Sequence, residues 1–409
     1  MANLGIIAEF NPFHNGHKYL YTEAVKKCKA ENVIALMSGN FIQRGAPAMA
    51  DKYSRAEAAV IGGIDAVFEL PVIYATGSAR DFAAGAVAIL NEMKIIDYIA
   101  FGVEDDVPEF FDEVTDILAN EPKEYKDSLN EHLTKGFSYP AASERAIKKI
   151  LGASASKIIS KPNNILAISY ITALKKLKSD IKPVIIPRCD NGYDNEELTG
   201  KYSSATAIRK ALNEGVNIRQ YIPRGSSKPY LEYTKKPLPE KTWLTPSIAS
   251  RLIYDRNLPP EISQLDQIMD MTPELLNRLR KAPLPVKYVE LQDFLKTKNI
   301  TMSRVSRVLL HMVLGIKDED RKIAYDNGYA DYLNILAIKD TKTSIIKDIE
   351  AASTLTLINK KSSFTPETET SSRMWQLDKL ATDLYNQLIY DNSNIRLRGE
   401  LSCSTKIVK

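Results

Sequence analysis

The sequence contains few of the residues that build disulfide frameworks and metal centres. Its three cysteines, Cys28, Cys189 and Cys403, are far apart and include no CxxC pair, and it has only four histidines. Disulfide scaffolds and structural zinc sites need closely spaced groups of these residues. We therefore expect neither, and the isolated cysteines fit a reducing compartment.

Long apolar runs are missing as well. No segment approaches the roughly 20 consecutive apolar residues of a membrane span, and the amino terminus lacks the basic and apolar regions of a signal peptide. The composition, 44% hydrophobic and 26% charged, is ordinary for a globular protein. We predict a cytoplasmic protein with no membrane partner, and 409 residues predict two or three domains.

Charge is distributed unevenly along the chain. Residues 1–119 contain 9 Lys or Arg and 17 Asp or Glu, a net charge of −8, so the remainder carries +12 within the total of +4. A basic region of this kind suggests a polyanionic partner. A solvated basic surface is an equally weighted alternative.

The first 120 residues alternate between apolar runs and helical patterns. The apolar runs are Leu4–Phe10, Val33–Met37, Ala66–Leu70 and Tyr98–Gly102. The helical patterns are Lys18–Lys29, Lys52–Gly62, Asp81–Met93 and a segment after Pro108. Buried strands separated by helices indicate parallel crossovers. We predict an α/β fold with a doubly wound parallel sheet, which binds ligands at the carboxyl ends of its strands.

The same pattern extends to residue 216. Residues 122–180 are predicted to be helical, with Asn163–Leu177 the clearest helix. Lys182–Pro187 is the predicted fifth strand, and a Ser-Ser pair caps a helix that runs through Leu212. We assign residues 1–216 to a catalytic domain.

Residues 217–409 are predicted to form a mainly helical C-terminal region. Its first part, Pro223–Pro246, is rich in Pro, Lys and Ser, as linkers often are. The predicted helices are Ser247–Asp255, Pro273–Lys281, Tyr288–Lys298 and Arg304–Leu314. A small α/β unit near residues 329–360 is predicted to contain strands Tyr332–Ile338 and Thr354–Ile358 around a helix at Thr343–Ala352.

A His-Asn-Gly-His motif lies where the first predicted strand turns into the first helix. A helix N-terminus favours phosphate through its free N–H groups and partial positive charge, and Gly16 lets the backbone approach a ligand. His14 and His17 could donate hydrogen bonds to the α- and β-phosphates during an in-line displacement. We predict that both are catalytic, rather than structural or a metal pair without a third ligand. His132 and His311 lie within helical patterns and are interpreted as structural.

This HxGH motif resembles the nucleotidyltransferase superfamily, which includes class I aminoacyl-tRNA synthetases and small adenylyltransferases. The segment Ser203–Arg209 (SSATAIR) is similar to the downstream Ser/Thr-Ser-x-x-x-Ile-Arg motif of that superfamily. The resemblance places hydroxyls, N–H groups and a guanidinium on the outer phosphates of ATP. Ser204 and Arg209 are therefore predicted to be catalytic, and a plain helix cap with a surface arginine is the alternative.

A longer stretch, Ile7–His17 (IAEFNPFHNGH), resembles one family, the bacterial tRNA(Met) cytidine acetate ligases. Further similar stretches are Met37–Gly45, Phe68–Pro71, Phe101–Gly102 and Lys161–Leu166. The resemblance is dense over the catalytic domain and weakest after Gly315. It implies that ATP, with Mg²⁺, and acetate form acetyl-adenylate. The acetyl group then passes to N4 of the wobble cytidine, C34, of elongator tRNA(Met), giving N4-acetylcytidine.

The resemblance also implies a set of nucleotide-contacting residues. They are Ile7, Ala8, Glu9, Phe10, Asn11, Pro12, Phe13, His14, Asn15, Gly16, His17, Lys18, Tyr19, Leu20, Gly102, Asn163 and Arg188. Gly102 either packs against adenosine through bare backbone or is a simple turn glycine. Asn163 either reaches the ribose or caps its helix.

Other polar residues have open interpretations. Ser38–Asn40 and Gln43–Gly45 suit the second substrate or form a solvated loop. Asp65 and Glu69 could hold Mg²⁺ through water, although a structural role is favoured.

In the C-terminal region, Arg304 and Arg307, beside Lys296 and Lys298, are candidates for RNA phosphate contacts or for structural packing. The candidate base-stacking aromatics, each more often a core residue, are Tyr288, Phe294, Trp243 and Trp375.

Two other classes of function compete with the ligase. A small-metabolite adenylyltransferase would use the same motif, but its chain is usually far shorter. A non-catalytic RNA-binding protein would not need intact His14, His17, Ser204 and Arg209.

Overall fold

The computed structural model describes residues 2–189, 197–198, 200–259 and 262–409. Over these residues the strands are β1 (Asn3–Ala8), β2 (Asn32–Ser38), β3 (Phe41–Ile42), β4 (Ala46–Pro47), β5 (Ala66–Leu70), β6 (Tyr98–Val103), β7 (Lys182–Pro187), β8 (Tyr332–Lys339), β9 (Thr356–Ile358) and β10 (Lys406–Val408).

The helices alternate with these strands in the first half of the chain and dominate the second half. They are α1 (Asn15–Cys28), α2 (Lys52–Ile61), α3 (Val72–Ala75), α4 (Ala79–Glu92), α5 (Pro108–Asn120), α6 (Lys123–Thr134), α7 (Tyr139–Leu151), α8 (Ala153–Ile159), α9 (Pro162–Leu177), α10 (Ala205–Asn213), α11 (Thr245–Arg256), α12 (Pro273–Arg280), α13 (Tyr288–Leu295), α14 (Met302–Leu314), α15 (Asp318–Asp326), α16 (Ser344–Ala352) and α17 (Glu369–Ser393). Among the described residues, no helix is both long and apolar enough to cross a membrane.

An eight-stranded, mostly parallel sheet lies at the centre of the molecule. Five strands follow the order β5-β2-β1-β6-β7 and pair in parallel. Every residue of β2 and β5 is buried, which explains their continuous apolar sequences. The predicted α/β fold is confirmed, and the strand order changes direction at β1, where such sheets bind ligands.

The C-terminal strands extend this same sheet. β8 pairs antiparallel with β5, while β9 and β10 each pair in parallel with β8. Seven of the eight residues of β8 are buried, because it covers the edge of β5 as well as packing against helices. β8 therefore belongs to the central sheet rather than to a unit of its own. The domain boundary at residue 216 stays a prediction.

The segment predicted as a linker packs against the first half of the chain. Its tyrosines Tyr230 and Tyr233 are buried, as is Leu244. The Tyr233 hydroxyl donates a hydrogen bond of 2.7 Å to Asp51 Oδ2 at the start of α2. The linker interpretation is wrong, because the Pro and Lys residues that suggested it alternate with apolar anchors.

Candidate active site

A cavity of about 240 Å³ opens at the carboxyl ends of β1, β6 and β7. Most of the predicted nucleotide-contacting and catalytic residues line it: Ile7, Ala8, Glu9, Phe10, Asn11, His14, Gly16, His17, Tyr19, Leu20, Gly102, Asn163, Arg188, Ser204 and Arg209. The fold thus brings the HxGH motif and the SSATAIR motif to the same cavity. Pro12, Phe13, Asn15 and Lys18 are not in its lining, so the structure does not place these four at the cavity.

The two histidines are held by reciprocal hydrogen bonds at the start of α1. His14 Nδ1 accepts from the Gly16 N–H at 3.0 Å, and His17 Nδ1 accepts from the His14 N–H at 3.2 Å. This arrangement caps the helix in the manner of a capping box. It also orients both rings, whose centroids are 3.9 Å apart.

Both imidazoles are neutral near pH 7. Burial, and then the charges of His17, Arg188 and Arg209, lowers the pKa of His14 well below its ordinary value. Burial and then Arg188 lower the pKa of His17 to about 3. A neutral ring whose Nδ1 accepts a hydrogen bond carries its proton on Nε2. The caps therefore leave each histidine with an Nε2–H donor for a ligand.

Gly16 is required by the close approach of the His14 ring. A Cβ at position 16 would lie 2.8 Å from His14 Cε1, so any side chain would displace the imidazole. His17 is flanked by two aromatic rings, Phe10 at 5.1 Å and Phe13 at 5.8 Å between centroids. Phe13 is fully buried, which explains why it supports the motif from behind instead of lining the cavity.

Residues 220–230 also support the HxGH loop. The Tyr230 hydroxyl accepts a hydrogen bond of 3.2 Å from the Phe13 N–H. The carbonyl of Tyr221 accepts from the Asn15 N–H at 2.9 Å, and that of Gln220 accepts from Asn15 Nδ2 at 2.7 Å. No local pattern in the sequence indicates this support, since these partners are about 200 residues from the motif.

Ser204 caps its helix, as the alternative interpretation expected, and both Ser204 and Arg209 line the cavity, so their catalytic role stays a prediction. Ser204 Oγ accepts from the Ala207 N–H at 3.0 Å and caps α10, while the residue also lines the cavity. Arg209 Nη1 donates to the carbonyl oxygen of Asn11 at 2.7 Å, and Nη2 donates to Thr206 Oγ1 at 3.2 Å. The guanidinium thereby joins α10 to the loop that follows β1.

The cavity wall formed by β6, α9 and the residue after β7 contains the other predicted nucleotide contacts, Gly102, Asn163 and Arg188. Asn163 donates from its backbone N–H and from Nδ2 to Glu104 Oε1, at 3.1 and 2.6 Å. Arg188 Nη1 is 3.4 Å from Asn163 Oδ1, and a Cβ at Gly102 would be 3.3 Å from Arg188 Cγ. Asn163 is not the cap of α9, which is Lys161.

Leu166 and Tyr170 also line this wall and were not predicted. They follow Asn163 at helical spacings of three and seven, so they share its face of α9. That spacing was the available signal in the sequence.

The loop after β2 reaches the cavity through Gln43 and Arg44, whereas Ser38–Asn40 are not in the cavity lining. The Gln43 N–H donates to Glu9 Oε1 at 2.9 Å. The fully buried Arg55 donates to the carbonyl oxygens of Glu9 and Ser38, at 2.5 and 3.1 Å, and to that of Gly39. Arg55 therefore joins the loops after β1 and β2, and its helical context concealed this role in the sequence.

Several other candidates have structural partners away from the cavity. Asp65 Oδ2 accepts from the Val33 N–H at 2.9 Å, and Glu69 pairs with Lys52 at 2.7 Å. Within the described ranges, no group of three His, Cys, Asp or Glu residues could hold a metal ion. His132 Nδ1 bonds its own helix at the Ser128 carbonyl, 2.7 Å away.

The C-terminal candidates are also largely structural. Arg307 is buried and pairs with Asp270 Oδ2 at 2.8 Å. Arg304 Nε donates to the carbonyl oxygen of Asp270 at 3.1 Å. His311 is fully buried and contacts Thr76 and Met269. The RNA-contact interpretation of Arg307 is therefore wrong, because its guanidinium neutralises a buried carboxylate.

Two of the candidate stacking aromatics belong to the core. Trp375 and Tyr288 are each 3% exposed. Trp375 packs edge-on against Phe364 and Tyr332, with centroids 5.4 and 6.0 Å apart. Buried rings of this kind stabilise the fold and cannot stack on a base.

Comparison with known proteins places this architecture among described relatives. A family model described as HIGH Nucleotidyl Transferase matches residues 1–400. A protein named tRNA(Met) cytidine acetate ligase from Caldanaerobacter subterraneus subsp. tengcongensis is 40% identical, with 96% of each chain covered. Another of that name, from Acetivibrio thermocellus, is 36% identical, with 98% of each chain covered.

Solved structures agree over the whole chain. The apo crystal structure of Thermotoga maritima TmcAL has a TM-score of 0.92 at 29% identity, and all of both chains is covered. The structure of that protein bound with alpha-thio ATP has a TM-score of 0.87 at 28% identity, also with complete coverage.

Proposed function

Because the chain belongs to the tRNA(Met) cytidine acetate ligase family of HIGH nucleotidyl transferases, we propose that it activates acetate with ATP and acetylates tRNA. In the first step an acetate oxygen bonds to the α-phosphorus of ATP, the bond to the bridging oxygen breaks, and pyrophosphate leaves. In the second step the exocyclic N4 of cytidine bonds to the acetyl carbon. AMP leaves and the nitrogen loses a proton, giving N4-acetylcytidine at the wobble position of elongator tRNA(Met).

The convergence of two distant motifs on one cavity supports this proposal most directly. His14 and His17 would direct neutral Nε2–H donors at the phosphates, where negative charge builds up as pyrophosphate separates. Their low pKa values favour donation of a hydrogen bond without transfer of a proton. Binding of the anion would raise those pKa values, because negative charge stabilises an imidazolium.

Positive potential would hold the triphosphate. Arg188 and Arg209 line the cavity, as do Gly16 and Ala205 from the first turns of α1 and α10. Helix N-termini and guanidinium groups both favour phosphate. We assign the outer phosphates to the Ser204 and Arg209 side, and the adenosine to the wall with Gly102 and Asn163.

The metal ion, the acetate site and the cellular location are further parts of this proposal. We propose Mg²⁺ bound mainly through the phosphates of ATP and water, as is usual for this ion. Acetate is assigned to the part of the cavity beside Gln43 and Arg44, and the cytoplasm is the proposed location of the reaction.

Incubation with ATP, labelled acetate and total bacterial tRNA tests the proposal. We expect label in the RNA, and nuclease digestion followed by mass spectrometry should identify N4-acetylcytidine. An AMP-bearing small product would indicate the adenylyltransferase instead. Absence of turnover in a folded preparation that binds tRNA would favour a non-catalytic RNA-binding protein.

A further inference from the structure

A cluster of cations lies where three segments meet beside the active-site cavity. Lys241, in a short 3₁₀ turn, donates a hydrogen bond of 3.0 Å from Nζ to Ser306 Oγ on α14. The loop between β3 and β4 packs against the same part of α14. Gly45 in that loop has a φ of +65°, and a Cβ there would lie 2.6 Å from the carbonyl carbon of Ser306. Arg44 precedes Gly45 and Arg307 follows Ser306, so this close approach brings together the segments that carry Arg44, Lys241 and Arg307.

Arg307 and Lys241 differ in whether a carboxylate neutralises their positive charge. Arg307 has Asp270 as its counter-ion. In the part of the chain that the structure describes, no carboxylate forms an ion pair with Lys241, whose ammonium bonds a neutral hydroxyl. Burial, and then the positive charges of Arg44 and Arg307, lowers the pKa of Lys241 to about 8. A half-buried cation beside like charges is unfavourable unless an anion joins them.

The position of the cluster relative to the cavity indicates which kind of anion would bind there. Arg44 is exposed and lines the cavity, whereas Lys241 is outside the lining. The cluster therefore forms a rim, and the cavity has other cations, Arg188 and Arg209, on its walls. An anion bound by Lys241 would be outside the nucleotide cavity and next to its opening. The backbone of a nucleic acid whose base enters the cavity has that geometry.

We propose that Lys241, together with Arg44, binds a backbone phosphate of the RNA substrate at the rim of the active-site cavity. The inference rests on the proposed function, because it takes the polyanion to be the RNA that is acetylated. Such a contact positions the nucleotide without reading its base. The proposed contact at Lys241 also gives a defined RNA-binding site to part of the positive charge of the C-terminal region. It replaces the RNA contact that was predicted at Arg307.

Replacement of Lys241 by Met removes the charge and keeps most of the stem. We expect the Kd for tRNA to rise about tenfold near 0.1 M salt. The slope of log Kd against log salt concentration should fall by about one, because one fewer counter-ion is released. Lys241→Arg should keep wild-type affinity and slope. Filter binding at several salt concentrations gives both quantities.

Two matched variants separate charge from structure. Ser306→Ala removes the hydrogen-bond partner of Lys241 but keeps the ammonium, so tRNA affinity should be retained. Lys347→Met removes an exposed lysine from α16 and should also leave binding unchanged. That helix follows the end of β8, where the Lys339 N–H donates to the Asp65 carbonyl oxygen at 2.8 Å. Asp65 precedes β5, so the helix begins near the amino ends of the parallel strands, whereas the cavity lies at their carboxyl ends.

Three results would overturn the inference. They are unchanged tRNA binding by Lys241→Met, an equal loss of binding by Ser306→Ala, or a higher KM for ATP in acetate-dependent pyrophosphate exchange without RNA. The last would assign Lys241 to the nucleotide site. If wild-type protein binds tRNA but transfers no labelled acetate, the proposed function fails while the binding comparison still decides this site.

Discussion

At the scale of single residues, the motif histidines are specialised by their backbone contacts. Each Nδ1 accepts a backbone hydrogen bond, from Gly16 for His14 and from His14 for His17. By contrast, His132 Nδ1 faces the Ser128 carbonyl oxygen at 2.7 Å, to which it can only donate. The backbone partner of Nδ1 therefore determines whether Nε2 of a neutral ring carries a proton that it can donate.

Replacement of His17 by Ala should slow acetyl-adenylate formation by about two to three orders of magnitude, as expected for loss of an oxyanion-type donor. Acetate-dependent pyrophosphate exchange measures this step without RNA. His132→Ala is the matched control and should keep wild-type turnover. Near-normal exchange by a His17→Ala protein with a native circular dichroism spectrum would exclude the catalytic role.

The lowered pKa of His17 also predicts a dependence of stability on pH. Its pKa is about 3 when folded and about 6.5 otherwise. Between those values the unfolded chain binds a proton that the folded chain does not, so this residue destabilises the fold as the pH falls below about 6.5. His17→Gln should therefore lose less stability than wild type between pH 7 and pH 5. Urea midpoints at both pH values measure the loss, and equal losses would show that this histidine is not linked to folding.

At the scale of elements, the HxGH loop is held by a segment that lies about 200 residues further along the chain. The buried Tyr230 accepts a hydrogen bond from the Phe13 N–H, and Asn15 is bonded by the carbonyls of Gln220 and Tyr221. Residues 220–230 therefore hold the loop from the side opposite the cavity. We therefore expect changes in this segment to affect catalysis, although it carries none of the predicted catalytic residues.

Replacement of Tyr230 by Phe tests this support. The change leaves a buried N–H without a partner, which costs about 1–3 kcal/mol of stability. It should also slow adenylate formation about tenfold, since small displacements of catalytic groups have large effects. Calorimetry and pyrophosphate exchange measure the two effects. Tyr254→Phe is the control, because that side chain is 60% exposed; equal behaviour of the two variants would contradict the supporting role.

At the scale of the whole molecule, buried charges join the chain's carboxyl end to the sheet. Lys52 Nζ lies 2.7 Å from Glu69 Oε2 and 2.8 Å from Glu400 Oε2, and all three side chains are almost completely buried. Asn334 Nδ2 on β8 donates to Glu69 Oε2 at 2.6 Å. One cluster thus connects α2, β5, β8 and the turn at Glu400.

Lys52→Met should destabilise the protein by about 3–5 kcal/mol, because it leaves two buried carboxylates without their cation. Chemical unfolding followed by fluorescence measures the change. Lys26→Met removes the cation of an exposed pair with Glu23, in which the lysine side chain is 66% exposed, and should leave the midpoint unchanged. Similar midpoints for both variants would show that the buried cluster contributes no more than a surface pair.

The sequence alone determined the features that depend on near neighbours along the chain. The apolar runs predicted Ala66–Leu70 and Lys182–Pro187 with the observed bounds. Ala66–Leu70 is buried at every residue, and such a strand needs continuous apolar residues. The HxGH motif was predicted at the start of a helix, because capping is a contact within one turn. The resemblance of its surroundings then indicated the family.

Tertiary structure alone decided the contacts between distant residues. It placed β8 antiparallel beside β5, paired Arg307 with Asp270, and joined Glu400 to Lys52. None of these partners is encoded by local periodicity, since an apolar strand or a charged side chain is compatible with many neighbours. The fold selects among them by burial, because a charge removed from water must find a counter-charge and an open sheet edge must be covered.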